Sequence, residues 1–219
     1  MIKISLLLLF IFIGILVNGQ DMLIEQIAGK KIIRKAFNDD KELISRQVFI
    51  VGELQTNDKV LTVDIEVNLF DEENTLDEKY FTQYTCNPDK SDVILAVFPF
   101  ARNRNAEYMI ETTSTRFKKL YDFNSEDKTL NDLSISMSIE SGVLSFFGST
   151  NILTFTNRIL IKNEDGFKLK STLTIEAYLW GVKVKTKTFQ LIENFDHNRI
   201  LNSQLFRTEN EGYFMVHYP

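Results

Sequence analysis

The stretch Leu61-Thr62-Val63-Asp64-Ile65-Glu66-Val67-Asn68-Leu69 has an apolar residue at every odd position and a polar residue at every even one. This two-residue period is typical of a strand that buries one face and exposes the other. A strand of a parallel α/β sheet would instead be apolar on both faces. The stretch therefore predicts an antiparallel sheet.

The same period occurs twice further along the chain, in residues 133–139 and 167–179. A sheet with one apolar face must close on itself, be covered by a helix or keep a cavity. The sequence therefore predicts an all-β or nearly all-β fold. We expect an antiparallel open or half β-barrel of hairpins and meanders, with at most one or two short helices.

Three hairpins can be predicted from the requirement that apolar residues pair with apolar residues. An even-length loop within residues 71–75 would pair the following residues: Val67 with Tyr80, and Val63 with Tyr84. A three-residue loop, Glu164-Asp165-Gly166, would place Gly166 at the left-handed third position that such loops favour. That loop would pair the following residues: Ile161 with Leu169, Phe155 with Ile175, and Leu153 with Ala177.

At Trp180-Gly181 the apolar positions change from odd to even. A two-residue turn here would pair Ala177 with Val184 and Glu176 with Lys185. A bulge that flips one long strand is the alternative interpretation. We favour the turn.

A phrase of Phe, then Asx, then Leu six positions after the Phe occurs three times, at residues 37–43, 70–76 and 195–201. Asx residues favour turns because their side chains bond to the nearby backbone. The phrase therefore indicates repeated hairpin chemistry rather than duplicated domains.

Helical patterns are few. Residues 22–34 place Leu23, Ile24 and Ile27 at helical spacing, and the pattern weakens at Gly29. Residues 105–121 fit a helix or a strand equally well, since a run of Thr and Ser interrupts the helical stripe. The polar residues 122–132 are predicted to form a long connection within one domain, residues 20–219.

Residues 1–19 have the pattern of a secretory signal peptide: Lys3, then fourteen apolar or small residues, then a small residue at the exit. The predicted cleavage follows Gly19, which indicates a secreted or periplasmic protein. No second apolar run that could span a membrane follows. The formal charge changes from −5 to −6 on cleavage, because Lys3 is the one charged residue of the leader. This acidity argues against nucleic-acid binding.

Cys86 is the single cysteine, so the chain cannot form an internal disulfide. It could be a reactive thiol or form an intermolecular bridge. A buried small hydrophobic residue is the simpler interpretation.

The sequence favours no catalytic, cofactor or metal site. His197 lies beside Asp196 in a predicted turn, where such a pair is usually solvated. Two histidines without a cysteine cluster do not supply a zinc site, and the clustered carboxylates at turns are typical of solubilising charge. Lysines 183, 185 and 187 are expected to line one strand face with Lys168 and Lys170 nearby, where they could meet anionic lipid or suppress edge pairing.

Several short motifs occur in an order that resembles the TapB-like group of secreted bacterial β-proteins of unknown function. They are listed here by residue range: 70–76, 84–86, 129–137, 156–158, 184–188 and 195–201. The resemblance covers residues 37–207 and implies an open β-barrel of the kind that lipoprotein carriers use. Members of the group often have a second cysteine in the C-terminal half, which this chain lacks, so no disulfide is implied here.

Two functions remain open. The first is a non-enzymatic protein whose apolar interior binds or carries a hydrophobic small molecule or lipid. Its expected lining is as follows: Leu61, Val63, Ile65, Val67, Leu173 and Ile175. The second is an interaction module with a solid core that docks an envelope protein. An apolar concavity is the default binding site, although small barrels are usually filled by their own side chains.

Overall fold

The computed structural model describes residues 23–87, 107–112, 120–140, 149–209 and 212–218. The predicted signal peptide, its cleavage after Gly19 and residues 113–119 of the ambiguous segment lie outside these ranges. The described residues form one short helix, α1 (Leu23–Ile27), and a 13-stranded sheet. The strands are β1 (Lys31–Phe37), β2 (Leu43–Val51), β3 (Gln55–Asn57), β4 (Val60–Phe70), β5 (Leu76–Cys86), β6 (Glu107–Thr112), β7 (Thr129–Leu130), β8 (Leu133–Glu140), β9 (Ser149–Asn163), β10 (Gly166–Leu179), β11 (Val182–Phe195), β12 (Leu201–Arg207) and β13 (Tyr213–His217).

The sheet is almost entirely antiparallel, as the alternating sequence predicts. The strand order is β10-β11-β12-β13-β1-β2-β4-β5-β6-β8-β9-β7, and β9 also pairs with β10. The wall is uneven: β9 and β10 share thirteen residue pairs, whereas β6 shares three with β5 and four with β8. The fold is therefore a nearly all-antiparallel β-barrel with weak pairing at β6, in agreement with the predicted open barrel.

The pairing of β5 with β6 is parallel, which the sequence did not predict. A parallel pair needs a long crossover connection, and here residues 87–106 separate the two strands. Residues 107–112 resolve the ambiguous segment as a strand over that range. Helix α1 buries Leu23, Ile24 and Ile27, and the chain turns at Gly29, where φ is +68°.

The three Phe-Asx-Leu phrases form three equivalent hairpin turns, which confirms repeated hairpin chemistry. In each turn the Phe pairs with the Leu across a five-residue loop. Each Asx side-chain oxygen accepts a hydrogen bond from the backbone N–H four residues later. These bonds join Glu42 N to Asn38 Oδ1 (2.9 Å), Thr75 N to Asp71 Oδ1 (2.8 Å) and Ile200 N to Asp196 Oδ1 (2.8 Å). The positive φ angles also repeat, at Lys41, Asn74 and Arg199.

The predicted register of β4 and β5 is confirmed, since Val67 pairs with Tyr80 and Val63 with Tyr84. The loop has five residues rather than an even number. A bulge between Leu69 and Phe70 restores the parity that the apolar faces require.

The predicted loop between β9 and β10 is wrong. Asn163 pairs with Gly166, so the loop contains two residues. The three predicted pairs do not form: Ile161 with Leu169, Phe155 with Ile175, and Leu153 with Ala177. The observed partners are Leu160 for Leu169, Phe155 for Leu173, Leu153 for Ile175 and Asn151 for Ala177.

The cause is a bulge in β9, where Asn157 and Arg158 both oppose Ser171 and Asn157 has a φ of 53°. The buried residues of β9 have odd numbers before this bulge and even numbers after it. Leu160 is therefore buried, whereas Ile161 is exposed. Gly166 is still required by geometry. Its φ is +135°, and a Cβ there would lie 2.2 Å from the carbonyl oxygen of Phe195.

The predicted turn at Trp180-Gly181 is confirmed, since Leu179 pairs with Val182. Both turn residues have positive φ, 50° and 77°, as a type I′ turn requires. The two predicted pairs are wrong, however, because a bulge leaves Val184 unpaired. Ala177 pairs with Lys185, and Glu176 with Thr186.

Residues 120–132 do not form a wholly exposed connection. Leu120 and Phe123 are buried, and β7 within this segment pairs with β9. The ring of Phe123 lies 5.6 Å from that of Phe167 and 5.5 Å from that of Phe195. The segment therefore packs into the main hydrophobic cluster, which also includes residues of the first and the last strand, β1 and β13.

Candidate interaction site

The six residues predicted to line an apolar cavity lie in the interior. Five of them are buried, namely Leu61, Val63, Ile65, Val67 and Leu173. Ile175 is partly buried and packs against the same cluster. The structure thus brings residues of β4 and β10 into one apolar interior, while a ligand among them remains a prediction.

Aromatic rings pack against one another on the side of the interior formed by β11, β12 and β13. The rings of Phe206 and Phe214 are stacked, with centroids 4.5 Å apart. Phe189 meets both of them edge to face, at 5.9 and 5.8 Å. These are the separations of aromatic pairs in direct contact, so ring packing fills this side of the interior.

The far end of the β10–β11 hairpin differs from its base. We call residues 177–187 the hairpin end. Strand β12 pairs with β11 over residues 190–195, so it does not reach the hairpin end. Residues 182–186 are all exposed, so both faces of the strand meet solvent there. The exposed fraction is 70% for Trp180, 65% for Val182 and 59% for Val184.

The bulge at Val184 divides the predicted lysine strip between the two faces of the hairpin. Directly opposite residues in an antiparallel pair lie on the same face. Lys187 pairs with Ile175 and Lys185 with Ala177, so these two lysines lie on the face that continues from Leu173. Lys183 pairs with Tyr178 on the other face, and the prediction of one strip is therefore wrong.

A small polar cluster lies on the face of the hairpin end that carries Tyr178 and Lys183. Lys183 Nζ donates to Glu176 Oε1 at 2.8 Å, and the Tyr178 hydroxyl donates to Glu176 Oε2 at 3.0 Å. The hydrogen bond from Lys183, then that from Tyr178, lowers the pKa of Glu176. Its carboxylate raises the pKa of Lys183 in turn. Such exposed pairs contribute little to stability, but this one orients the side chains behind the turn.

A second polar cluster is buried at the base of the hairpin. The Tyr121 hydroxyl and Gln204 Nε2 both donate to Glu193 Oε1, at 2.6 and 2.7 Å. Tyr218 donates to Gln204 Oε1 at 2.5 Å. Glu193 is 1% exposed, and its Oε2 has no hydrogen-bond partner among the described residues.

Burial dominates the electrostatics of this cluster. It raises the pKa of Glu193 against the opposing hydrogen bonds of Tyr121 and Gln204 and the charge of Arg158. Burial and then the charge of Glu193 raise the pKa of Tyr121 well above its ordinary value. The net effect is that the pKa of Glu193 lies above that of an exposed carboxyl, with burial as the main cause.

Arg158 connects this region to an open polar cleft of about 580 Å³. The β9 bulge turns the side chain inward, where it is 4% exposed. Arg158 Nη1 donates to the Asn131 carbonyl at 2.9 Å, and Nη2 donates to the Leu120 carbonyl. Removal from water lowers the pKa of the guanidinium. The cleft is lined as follows: Asp122, Asp127, Thr129, Leu130, Asn131, Asp132, Leu133 and Arg158.

Sequence reasoning missed both the cleft and the buried cluster. One feature of the sequence could have indicated the bulge that turns Arg158 inward. Asn157 lies where the apolar residues of β9 change from odd to even positions, and such a change is typical of a bulge. Nothing in the sequence distinguished Glu193 from the exposed carboxylates. In the described part of the chain, no three His, Cys, Asp or Glu side chains are grouped closely enough to hold a metal ion.

The residues considered for catalysis have other environments. Asp196 Oδ1 accepts hydrogen bonds from the backbone N–H groups of Asn198 and Ile200, so the carboxylate stabilises the turn. His197 beside it is exposed. Cys86 is buried in the hydrophobic cluster, as a small hydrophobic residue would be.

Comparisons with known proteins give two similar solved structures. One is a proposed lipoprotein from Parabacteroides distasonis, 14% identical, with a TM-score of 0.45 over 90% of this chain and 97% of that one. The other is a proposed exported protein with a YmcC-like fold from Bacteroides fragilis, 13% identical, with a TM-score of 0.45 over 87% of this chain and 94% of that one. No family profile and no curated protein matches the chain. The TapB-like resemblance therefore stays a prediction from sequence.

None of the helices in the described ranges has the length and apolar character needed to cross a membrane.

Proposed function

We propose that this protein is a non-catalytic binding module, and that it contacts its partner through the hairpin end. The observation that carries the proposal is the exposure of Trp180, Val182 and Val184 on one turn and strand. Exposed apolar groups that lie together are typical of interaction sites. The predicted signal peptide places this contact outside the cytoplasm, in a secreted or periplasmic protein.

The base of the same hairpin supports this assignment. Phe189 and Leu191 of β11 are buried in the interior. The core contacts of this strand therefore lie toward the base of the hairpin and not at its end. The hairpin end adds two lengths of strand whose residues are not buried by β12. Val182 and Val184 are therefore accessible to a partner.

Site-specific photo-crosslinking in cells that make the protein tests the proposal. A photoreactive amino acid would replace Val182 in one variant and Phe81, which is 58% exposed on β5, in a matched control. We expect adducts in the envelope fraction from position 182 and few from position 81. Equal labelling at both positions, or none at 182, would contradict a contact at the hairpin end.

The position of the six predicted lining residues in one apolar interior, five of them buried and Ile175 partly buried, supports a second candidate, a carrier of a hydrophobic small molecule or lipid. Organic extraction of the native protein followed by mass spectrometry tests it. We expect a stoichiometric apolar compound in the extract, reduced by Ile175→Trp, which would add a bulky ring where the partly buried Ile175 packs against the interior. Ile161→Trp on the exposed face of β9 is the control. An extract without such a compound would exclude the carrier.

A further inference from the structure

We infer that the partner of the hairpin end is the surface of an anionic lipid bilayer. This inference rests on the proposed function and names its partner. The chemistry of the turn is the first argument. Trp180 is the one tryptophan of the chain, and it is 70% exposed at the apex of the hairpin. A Trp ring is amphipathic and favours the headgroup level of a bilayer.

The charge behind the turn is the second argument. Residues 174–187 contain three lysines and one glutamate, a net charge of +2, in a chain whose net charge is −5. Glu176 is bound to Lys183 on one face, and Lys185 and Lys187 lie on the opposite face, where the Nζ of Lys187 is 5.5 Å from the centre of the Phe189 ring. Lysines near an anionic bilayer surface are attracted to it, and this charge complements anionic headgroups.

The spacing of these groups is the third argument. At about 3.3 Å per residue, Lys185 lies roughly 10 Å behind Val182, and Lys187 about 16 Å behind it. Interfacial apolar groups enter a bilayer to a depth of about 5–10 Å. Insertion of Trp180 and Val182 to the greater of these depths would bring Lys185 to about the phosphate level and leave Lys187 about 6 Å above it, within the range of the surface charge.

The exposure of both faces favours a bilayer over a protein partner. Residues 182–186 are exposed in succession, with Lys183 on one face of the strand and Val182 and Lys185 on the other. A bilayer surrounds an inserted turn and contacts both sides of it. A protein partner would instead match one complementary face.

The single tryptophan makes the inference directly measurable. The full mature protein would be titrated with vesicles of phosphatidylglycerol and phosphatidylcholine, and separately with vesicles of phosphatidylcholine alone. We expect the emission of Trp180 to shift to shorter wavelength with the anionic vesicles, because the ring leaves water. We also expect weaker binding at high salt, because salt screens exposed charges.

Two pairs of variants identify the contact by vesicle sedimentation. Lys185→Gln combined with Lys187→Gln should weaken binding about five-fold per lysine, whereas Lys168→Gln combined with Lys170→Gln at the hairpin base should change it about two-fold or less. Val182→Ser combined with Val184→Ser should also weaken it, whereas Phe81→Ser on β5 should not. Because both lysine variants lie on exposed or half-exposed strand positions, the fold is expected to be retained.

The outcomes separate this inference from the proposed function. An unchanged Trp180 emission with anionic vesicles, or binding that the hairpin variants do not weaken, would overturn the lipid partner. If position 182 crosslinks to a protein while vesicles have no effect, the hairpin end is a contact surface but its partner is not lipid. A concentration-dependent shift of Trp180 emission without vesicles would show self-association and would also overturn the inference.

Discussion

The base and the end of the β10–β11 hairpin share the same alternating pattern but have different environments. At the base, Leu173 pairs with Phe189 inside the hydrophobic cluster. At the end, Leu179 pairs with Val182, which is 65% exposed. The difference is the neighbouring strand, because β12 accompanies β11 over residues 190–195. Alternation therefore defines the strand, while burial depends on what lies beside it.

The largest loss of stability is expected from a substitution at the base of the hairpin. Phe189→Ala should lower the free energy of unfolding by about 3–5 kcal/mol, because it leaves a cavity beside the stacked rings of Phe206 and Phe214. Guanidinium unfolding followed by circular dichroism measures the change. Phe81→Ala, at an exposed position of β5, is the control and should cost less than about 1 kcal/mol. Equal losses would show that the interior is not packed as described.

A smaller effect is expected at Arg158, beside the base of the hairpin. Arg158→Gln should cost about 2–4 kcal/mol, because it removes charge-assisted hydrogen bonds to two carbonyls and leaves Glu193 without a nearby positive charge. Lys162→Gln, at an exposed position of the same strand, is the matched control. If the two variants unfold at the same denaturant concentration, Arg158 does not connect residues 120–131 to the sheet.

The third prediction concerns pH. Below the ordinary Glu pKa of 4.5, Glu193 is protonated in both the folded and the unfolded chain. Above it the unfolded chain releases this proton first, because burial raises the pKa in the folded state. The free energy of unfolding should therefore fall as pH rises from 4.5 through the raised pKa.

Glu193→Gln should remove this pH dependence, while Glu176→Gln at the hairpin end should retain it. Urea unfolding at a series of pH values measures the difference between each variant and the native protein. The same slope in native protein and Glu193→Gln would contradict the raised pKa.

The smallest effect is expected at the hairpin end. Val182→Ala should change the free energy of unfolding by less than about 0.5 kcal/mol, because this side chain is already exposed. A loss of stability comparable to that of Phe189→Ala would contradict the difference in burial between the base and the end of the hairpin. It would show that the hairpin end is buried in solution, by a second copy or by another part of the chain.

Sequence reasoning succeeded where a structure depends on residues close together in the chain. The three Phe-Asx-Leu turns, the turn at Trp180-Gly181 and the pairing of Val67 with Tyr80 all follow from local chemistry and parity. It failed where a single extra residue altered the parity. The bulge at Asn157 placed Ile161 on the face opposite the predicted one, and the bulge at Val184 separated Lys183 from Lys185 and Lys187.

The candidate site was only partly predictable for the same reason. The six apolar residues assigned to the interior do lie there, because their alternation is uninterrupted within each strand. The buried Tyr121–Glu193–Gln204 cluster joins residues that are far apart in sequence, 72 positions in the case of Tyr121 and Glu193. No local pattern marks such a contact.

The amino-acid sequence by itself determined that the chain forms antiparallel strands, where several of its tight turns occur, and which faces are apolar. These features depend on side-chain alternation and on backbone bonds within a few residues. The tertiary structure alone decided where β12 stops, which bulges reverse a face, and that Arg158 and Glu193 are buried while Trp180 is exposed. Burial is a property of the surroundings of a residue, and those surroundings come from strands distant in the chain.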